Sequence, residues 1–324
     1  MRSQELTEKI KAFALNEAGF DLVGISAIAL PGVHEEALIR WVDQGFAGSM
    51  SYMVRDGKKR AHPEEVLPGA RSVISLVVNY YHPEDPKPEL LSGKVAKYAY
   101  GRDYHKIIEK KLKILARFVK TEAGELAKVK SYVDIGPILE KAFAKESGLG
   151  FFGKNTNVIT REFGSWVFLA SLITNLELEY DKPHLGSCGS CRICIDACPT
   201  GALLGNYEID ARKCISYLTI EDKTPALVRA RHAEPVHKQM GEWIFGCDIC
   251  QDVCPYNFRA KTTRHAELYP NKKAGTWINI QSLEKIKSDE EFVEVFQGSP
   301  VKRPKLAGML RNAAVVIRNQ EVVK

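Results

Sequence analysis

The chain has 324 residues, 45% of them hydrophobic, and a formal net charge of +6. That length is large for one core and small for three, so two domains and an appendage are expected. No dense block of Lys and Arg stands apart as a tail, so the charge permits a polyanionic partner without requiring one.

The opening "MRSQELTEKIKAFALNEAGF" has neither the apolar core of a signal peptide nor a twin arginine. It reads instead as an amphipathic helix with Leu6, Ile10 and Phe13 on one face. A strand-like "DLVGISAI" follows, then a helix around "HEEALIRWVDQG", the apolar run "SVISLVVNYY" and a Lys-rich amphipathic helix near "HKIIEKKLKILARFVKTEAG". Two further strand candidates, "KSYVDI" and "SWVFLASLI", complete an alternation that predicts an α/β domain over residues 1–180. The longest strongly apolar run, "WVFLASLI", is far too short to cross a bilayer, so a cytoplasmic protein with no membrane segment is expected.

From about residue 181 the composition turns to Cys, Gly, Pro and short helical pieces, which cannot build a core without metal. This marks a second domain over 181–264. Helix signals return in "SLEKIKSDEEFVEVFQ" and "KLAGMLRNAAVVIRNQ", separated by "GSPVKRPK", and define a helical segment over 265–324. Its last helix is like half of a helical-repeat unit.

All eight cysteines fall between 188 and 254, a concentration that in a reducing compartment points to metal rather than to disulfides. Cys188, Cys191, Cys194 and Cys198-Pro199 form the C-x2-C-x2-C-x3-C-P run of bacterial ferredoxins, in which three thiolates hold one 4Fe-4S cube and the fourth crosses to another. A tight turn brings neighbouring sulfurs to three corners of one cube, and the chain then leaves toward the next. The second set, Cys247, Cys250 and Cys254-Pro255, lacks one member, and the isolated Cys214 supplies it. Crossing the ligands as in two-cluster ferredoxins assigns Cys188, Cys191, Cys194 and Cys254 to one cluster, and Cys198, Cys214, Cys247 and Cys250 to the other. Two structural zinc sites are the alternative, but zinc sites seldom use four cysteines closed by Cys-Pro.

The stretch "GLGFFG", Gly148 to Gly153, satisfies G-x-G-x-x-G, yet a helical segment precedes it and poor helix material follows, the reverse of a dinucleotide fingerprint. Its glycines are expected to let backbone approach a bulky ligand. Asp134 ends the strand candidate "KSYVDI", where an α/β sheet presents functional side chains, though an Asp there also organises turns. Asp103 and His105 stand in the D-x-H order of some cobalt-ligating histidines, but Ile108 replaces the glycine that pattern needs, and His105 reads as a surface or helix-starting residue. His184, His232 and His237 show no metal spacing. No P-loop, H-E-x-x-H or G-x-S-x-G is present, so the chemistry belongs to a cofactor served by the clusters.

The segments "LPGARSVISLVVNYY", "YAYGRDYHK", "SGLGFFGKNTNVIT", "FGSWVFLASLIT", "CGSCRICIDACPTGAL", "CISYLTIE" and "GCDICQDVCPYN" resemble the epoxyqueuosine reductases, cobalamin-dependent iron-sulfur enzymes of tRNA modification. The likeness spans residues 67–257 and extends more weakly to both ends. It implies an α/β (α+β) cobalamin domain like that of reductive dehalogenases, a ferredoxin-like domain with two 4Fe-4S clusters, and a short C-terminal helical segment of HEAT-like kind. The implied activity is reduction of the epoxide of epoxyqueuosine, at the wobble position of a tRNA, to queuosine. Electrons from an external donor such as a flavodoxin or ferredoxin would pass through the clusters to cobalamin, whose cobalt has no protein His ligand. By this resemblance Asp134 is the proton donor; a carboxyl beside a corrin and away from bulk water can have a raised pKa suited to that role. Gly153, Lys154, Asn155, Asn157 and Ser216 are the implied corrin contacts.

For tRNA the chain offers three basic segments: Lys58, Lys59 and Arg60; Arg229 and Arg231; and Lys302, Arg303 and Lys305. Each alone reads as a solvated face. A reductive dehalogenase and a non-catalytic two-cluster electron carrier are the competing functions. A monomer is expected, for want of a dimerisation signal.

Overall fold

The computed structural model describes residues 3–55, 57–223 and 239–321. In chain order its first half comprises α1 (Ser3–Asn16), β1 (Leu22–Ala27), α2 (Gly32–Asp43), α3 (Ser51–Arg55), β2 (Ser72–Asn79), β3 (Ser92–Val95), α4 (Tyr104–Ala123), β4 (Val129–Tyr132), α5 (Glu140–Glu146), β5 (Phe151–Phe152), β6 (Val158–Ile159) and β7 (Val167–Thr174). The second half adds α6 (Ile193–Asp196), β8 (Leu203–Gly205), β9 (Glu208–Ile209), α7 (Ile215–Ile220), β10 (Trp243–Phe245), α8 (Ile249–Asp252), β11 (Trp277–Asn279), α9 (Ile280–Glu284), α10 (Asp289–Val295) and α11 (Lys305–Glu321). Two compact units result, neither of them contiguous in sequence. One gathers the chain up to Gly45, Ser51–Asn79 and His105–Ser190; the other gathers Phe46–Met50, Tyr80–Tyr104 and the chain from Cys191 onward.

The first unit is built on a sheet ordered β1-β2-β7-β4, antiparallel throughout, with Ser72 opposite Thr174 and Val129 opposite that same Thr174. The strands expected from apolar runs are therefore present, but they pair as in an α+β domain. Every residue of β2 is buried, which is why "SVISLVVN" reads as a continuous run instead of alternating. Helix α4 buries Ile108, Leu112, Leu115 and Val119, one stripe at helical spacing, and leaves Lys106, Lys110, Lys113 and Lys120 outward. Phe118 of α4 stacks on Phe13 of α1 at 3.8 Å between ring centroids.

The second unit carries a three-stranded sheet, β10-β3-β11, that no periodicity announced. Its core joins Val95, Tyr100, Ile244 and Phe245 to Phe292, Phe296, Met309 and Val316, so the C-terminal helices share apolar packing with the strands. The single helical run expected from "SLEKIKSDEEFVEVFQ" is two helices. Ser288 stops propagation by accepting the Glu291 N–H through its hydroxyl at 3.1 Å, while the Glu291 carboxylate accepts the Lys287 N–H at 2.9 Å.

Asn312 of α11 is fully buried and donates to the carbonyls of Thr219 (2.8 Å) and Ile244 (2.9 Å), which ties α11 to α7 and β10. Replacing it with Leu removes both donors from buried acceptors. Asn312→Leu is expected to cost about 2–4 kcal/mol of unfolding free energy, measured as a lower urea midpoint at an unchanged slope. An unchanged midpoint would show that the two carbonyls find other partners.

Candidate functional site

Asp134 follows β4 and stands at φ +61, in the left-handed region that side chains other than glycine rarely enter. The Ile135 N–H reaches back to the Val133 carbonyl at 2.7 Å, so the chain closes a γ-turn centred on Asp134, a strained conformation that needs outside support. Glu140, the first residue of α5, supplies it: both carboxylate oxygens lie 3.2 Å from the Asp134 nitrogen and accept its N–H. Arg60 fastens the intervening segment, donating from Nη1 to the Gly136 carbonyl at 3.0 Å and accepting the Leu139 N–H on its own carbonyl at 2.9 Å. With its main chain so held, the Asp134 side chain stays 58% exposed, and the Nε2 of His105 lies 3.3 Å from its Oδ2.

Burial pushes the Glu140 carboxyl up to about 8, and the neighbouring Asp134 charge adds to that. Near neutral pH the exposed Asp134 side chain therefore has a largely protonated Glu140 carboxyl directly behind it. Sequence reasoning singled out Asp134 but passed over Glu140, which carries no motif. His105 does lie at the start of a helix, as expected, but no pattern in the chain signalled that it meets Asp134.

The loop from Gly148 to Asn157 runs from the end of α5 into the β5–β6 hairpin. Its glycines answer to the chain itself. A Cβ on Gly150 would stand 2.5 Å from the Ile159 carbonyl oxygen, and one on Gly153 would stand 2.5 Å from Asn155 Oδ1. The buried Asn155 turns inward, accepting the Asn157 N–H at 3.2 Å. Lys154 faces a cysteine: its N–H points at Cys188 Sγ at 3.4 Å, and its ammonium donates to the Gly189 carbonyl at 2.8 Å. Ser216 does the same in the second unit, its main-chain N–H favouring the thiolate of Cys214. The half-buried Asn157 carboxamide and Ser216 hydroxyl have no hydrogen-bond partner among the described residues, which leaves them for solvent or a ligand.

In the second unit the sulfurs of Cys198, Cys214, Cys247 and Cys250 lie within reach of one another's charge. Cys214 and Cys198 both raise the pKa of Cys247, Cys247 and Cys214 raise that of Cys250, and Cys198 raises that of Cys214. In Cys214, Cys247 and Cys250 burial is the larger cause of the rise. Cys198 is the exception. There burial is outweighed by the Thr200 hydroxyl at 3.6 Å and by the main-chain N–H groups of Leu203, Ala202 and Thr200. Thiols that feel one another's charge, set among N–H donors, suit the corners of an iron-sulfur cube, whose sulfurs accept such hydrogen bonds.

The surrounding chain carries an internal repeat that a cysteine count does not reveal: "CRICIDACP" at 191–199 and "CDICQDVCP" at 247–255 share C-x-I-C-x-D-x-C-P. Each copy forms one short helix, α6 and α8, and the two pack together, with Cys194 and Cys254 buried. Between Cys247 and Cys250, burial pushes Asp248 up to about 7, against the opposing pull of Lys97. Lys97 is itself only 6% exposed, and its ammonium lies 2.7 Å from Asp252 and 3.8 Å from Asp248.

The predicted basic segments fare unequally. Arg60 is buried in the Asp134 support, and Arg303 is paired with Glu221 at 3.0 Å, so neither is a free surface cation. Arg229, Arg231, His232 and His237 lie outside the described residues. Lys58, Lys59 and Lys305 are exposed and Lys302 is half-buried.

A family model described as "Epoxyqueuosine reductase QueG, DUF1730" matches residues 60–135, a span that opens on Arg60 and closes one residue past Asp134. A second, for a 4Fe-4S double cluster binding domain, matches residues 187–257 and takes in all eight cysteines. An epoxyqueuosine reductase of Leadbetterella byssophila is 44% identical, over 97% of this chain and 99% of its own. The chain belongs to the epoxyqueuosine reductase family. It is accordingly an oxidoreductase with a double-cluster domain, and its fold is the family's. A solved epoxyqueuosine reductase with an epoxyqueuosine-modified tRNA-Tyr stem loop superposes with a TM-score of 0.86 at 30% identity, over 97% of this chain and 81% of that one. Another, from Bacillus subtilis with its catalytic aspartate loop swung out of the active site, gives 0.85 at 29% identity, over 97% and 82%. No helix among the described residues is long and apolar enough to cross a membrane.

Because Glu140 keeps its proton to higher pH in the folded reductase than in the unfolded chain, folding takes up a proton between about pH 4.5 and 8. Its stabilising contribution is complete below that window and is lost as pH rises through 8. Glu140→Gln is expected to flatten the fall, whose ceiling is about 1.4 kcal/mol per pH unit for one proton. Urea unfolding across the window reads the slope directly, and parallel losses in both proteins would mean that Glu140 ionises at an ordinary pH.

Proposed function

We propose that this chain reduces the epoxide of epoxyqueuosine in tRNA to the cyclopentene of queuosine, with Asp134 as the proton donor. The observation that carries the reading is the construction around Asp134. An exposed carboxyl is carried by a strained turn held from within by Glu140, Arg60 and the Val133 carbonyl. Opening an epoxide to an alkene breaks two C–O bonds, consumes two electrons and two protons, and releases water. The departing oxygen needs an acid beside it. Asp134 would give one proton to that oxygen, while Glu140 holds the Asp134 main chain and His105 faces its carboxyl.

Two 4Fe-4S clusters and cobalamin supply the low-potential electrons when bound. Cys198, Cys214, Cys247 and Cys250 would hold one cluster, and Cys188, Cys191, Cys194 and Cys254 the other. The N–H groups of Lys154 and Ser216 would hydrogen-bond to ligand sulfurs, raising the potential of each cluster. Asn157 and Ser216, with their unengaged polar groups, together with Gly153, Lys154 and Asn155, are the proposed corrin contacts. No histidine of the chain is proposed as a ligand to cobalt.

As parts of the same reading, residues 1–180 serve the corrinoid, 181–264 the clusters, and 265–324 form the helical segment. The protein would work as a cytoplasmic monomer fed by a flavodoxin or ferredoxin.

Asp134→Asn is expected to lower turnover of epoxyqueuosine-containing RNA by about 100- to 10,000-fold, with iron content and RNA affinity unchanged. Turnover within a few-fold of the parent would remove Asp134 from the acid's role. Cys214→Ala is expected to cut bound iron to about half, because one cube loses a corner and the other keeps its four thiolates. Retention of full iron, with the spectrum of two intact cubes, would break the proposed ligand pairing.

A further inference from the structure

The exposed side of α4 carries Lys106, Lys110, Lys113 and Arg117, a row at helical spacings of four, three and four residues. They flank a shallow furrow of about 400 Å³ that also takes in Glu109 and the exposed Ile114. None of the four cations is held by an ion pair or hydrogen bond among the described residues. Other cations nearby are engaged: Lys111 donates to the Gly19 carbonyl at 2.8 Å, and Lys9 of α1 pairs with Glu122 at 3.3 Å.

Successive members of the row are about 5–6 Å apart, and from Lys106 to Arg117 the row covers about 16 Å. A single anion would need the cations to converge on a point; an evenly spaced line suits a linear polyanion. The row also begins beside the proposed acid, since Lys106 is next in sequence to His105, whose ring faces Asp134. We propose that the outer face of α4 binds the sugar-phosphate backbone of the substrate RNA, one cation per phosphate, as the strand leaves the Asp134 site. This rests on the reading of the chain as a reductase acting on tRNA. The sequence-derived basic segments did not include this face, because within the sequence its lysines are interleaved with the buried stripe of α4.

The test is the affinity of the full chain, with its clusters loaded, for an unmodified anticodon stem-loop RNA at several salt concentrations. Lys110→Glu combined with Lys113→Glu is expected to weaken binding tenfold or more. The dependence of log affinity on log salt should become shallower by about 1.4 to 1.8, which is two phosphate contacts. Lys110→Gln with Lys113→Gln should give a smaller loss of the same sign. Lys285→Glu, on an exposed lysine of the other unit, should change little. The inference is overturned if the double reversal binds as the parent does, or if Lys285→Glu weakens binding equally. It is also overturned if the double reversal leaves RNA affinity intact and instead slows reduction by an acidic flavodoxin. Failure of the parent protein to bind the stem loop at all would instead remove the tRNA reading itself.

Discussion

Thiols withdrawn from water and within reach of one another's charge cannot all ionise without compensation, and this constraint governs Cys214, Cys247 and Cys250 in the second unit. Burial and mutual repulsion drive Cys214, Cys247 and Cys250 toward the neutral form. A bound iron core reverses that preference, because it needs thiolates and cancels their repulsion. The main chain around them is prepared for such a load: N–H groups from Thr200, Ala202, Leu203, Ser216, Tyr217 and Ile249 are directed at the sulfurs. Beneath the cysteines, Ile215, Leu218, Met240, Trp243 and Val315 form the apolar floor, so a segment poor in hydrophobic residues rests on packing supplied by β10 and α11.

The first unit resolves a different conflict. An exposed side chain is ordinarily mobile, yet the Asp134 carboxyl is exposed on a fixed main chain. Here rigidity resides in the main chain, with the γ-turn at Asp134 held from behind by Glu140 and the following segment by Arg60. The cost is a left-handed backbone and a carboxyl kept in an environment that disfavours its charge. Asp134 does organise a turn, and that turn is what turns its side chain outward.

Charge shows how far a list of basic residues departs from a basic surface. Arg60 and Arg303, prominent in sequence, are occupied by a carbonyl and a carboxylate respectively. The cations that remain unengaged on α4 are those that the helix's buried stripe, Ile108 to Val119, forces outward. A residue's type fixes its charge, but its neighbours determine whether that charge is available.

The sequence alone determined whatever is encoded by short spacings. The cysteine intervals pointed to a 4Fe-4S domain, which the match over residues 187–257 bears out, because neighbouring corners of a cube are reached within one turn of chain. The apolar runs and helical stripes identified β2, β7 and α4 because burial repeats with the period of the element. The tertiary structure alone decided the antiparallel pairing of β1-β2-β7-β4, the sheet shared by β3, β10 and β11, and the division of one helical run by Ser288. It also decided that Glu140 and His105 meet at Asp134 and that Lys154 faces Cys188 across 34 positions. Such convergence depends on how separate elements pack, and no local period along the chain records it.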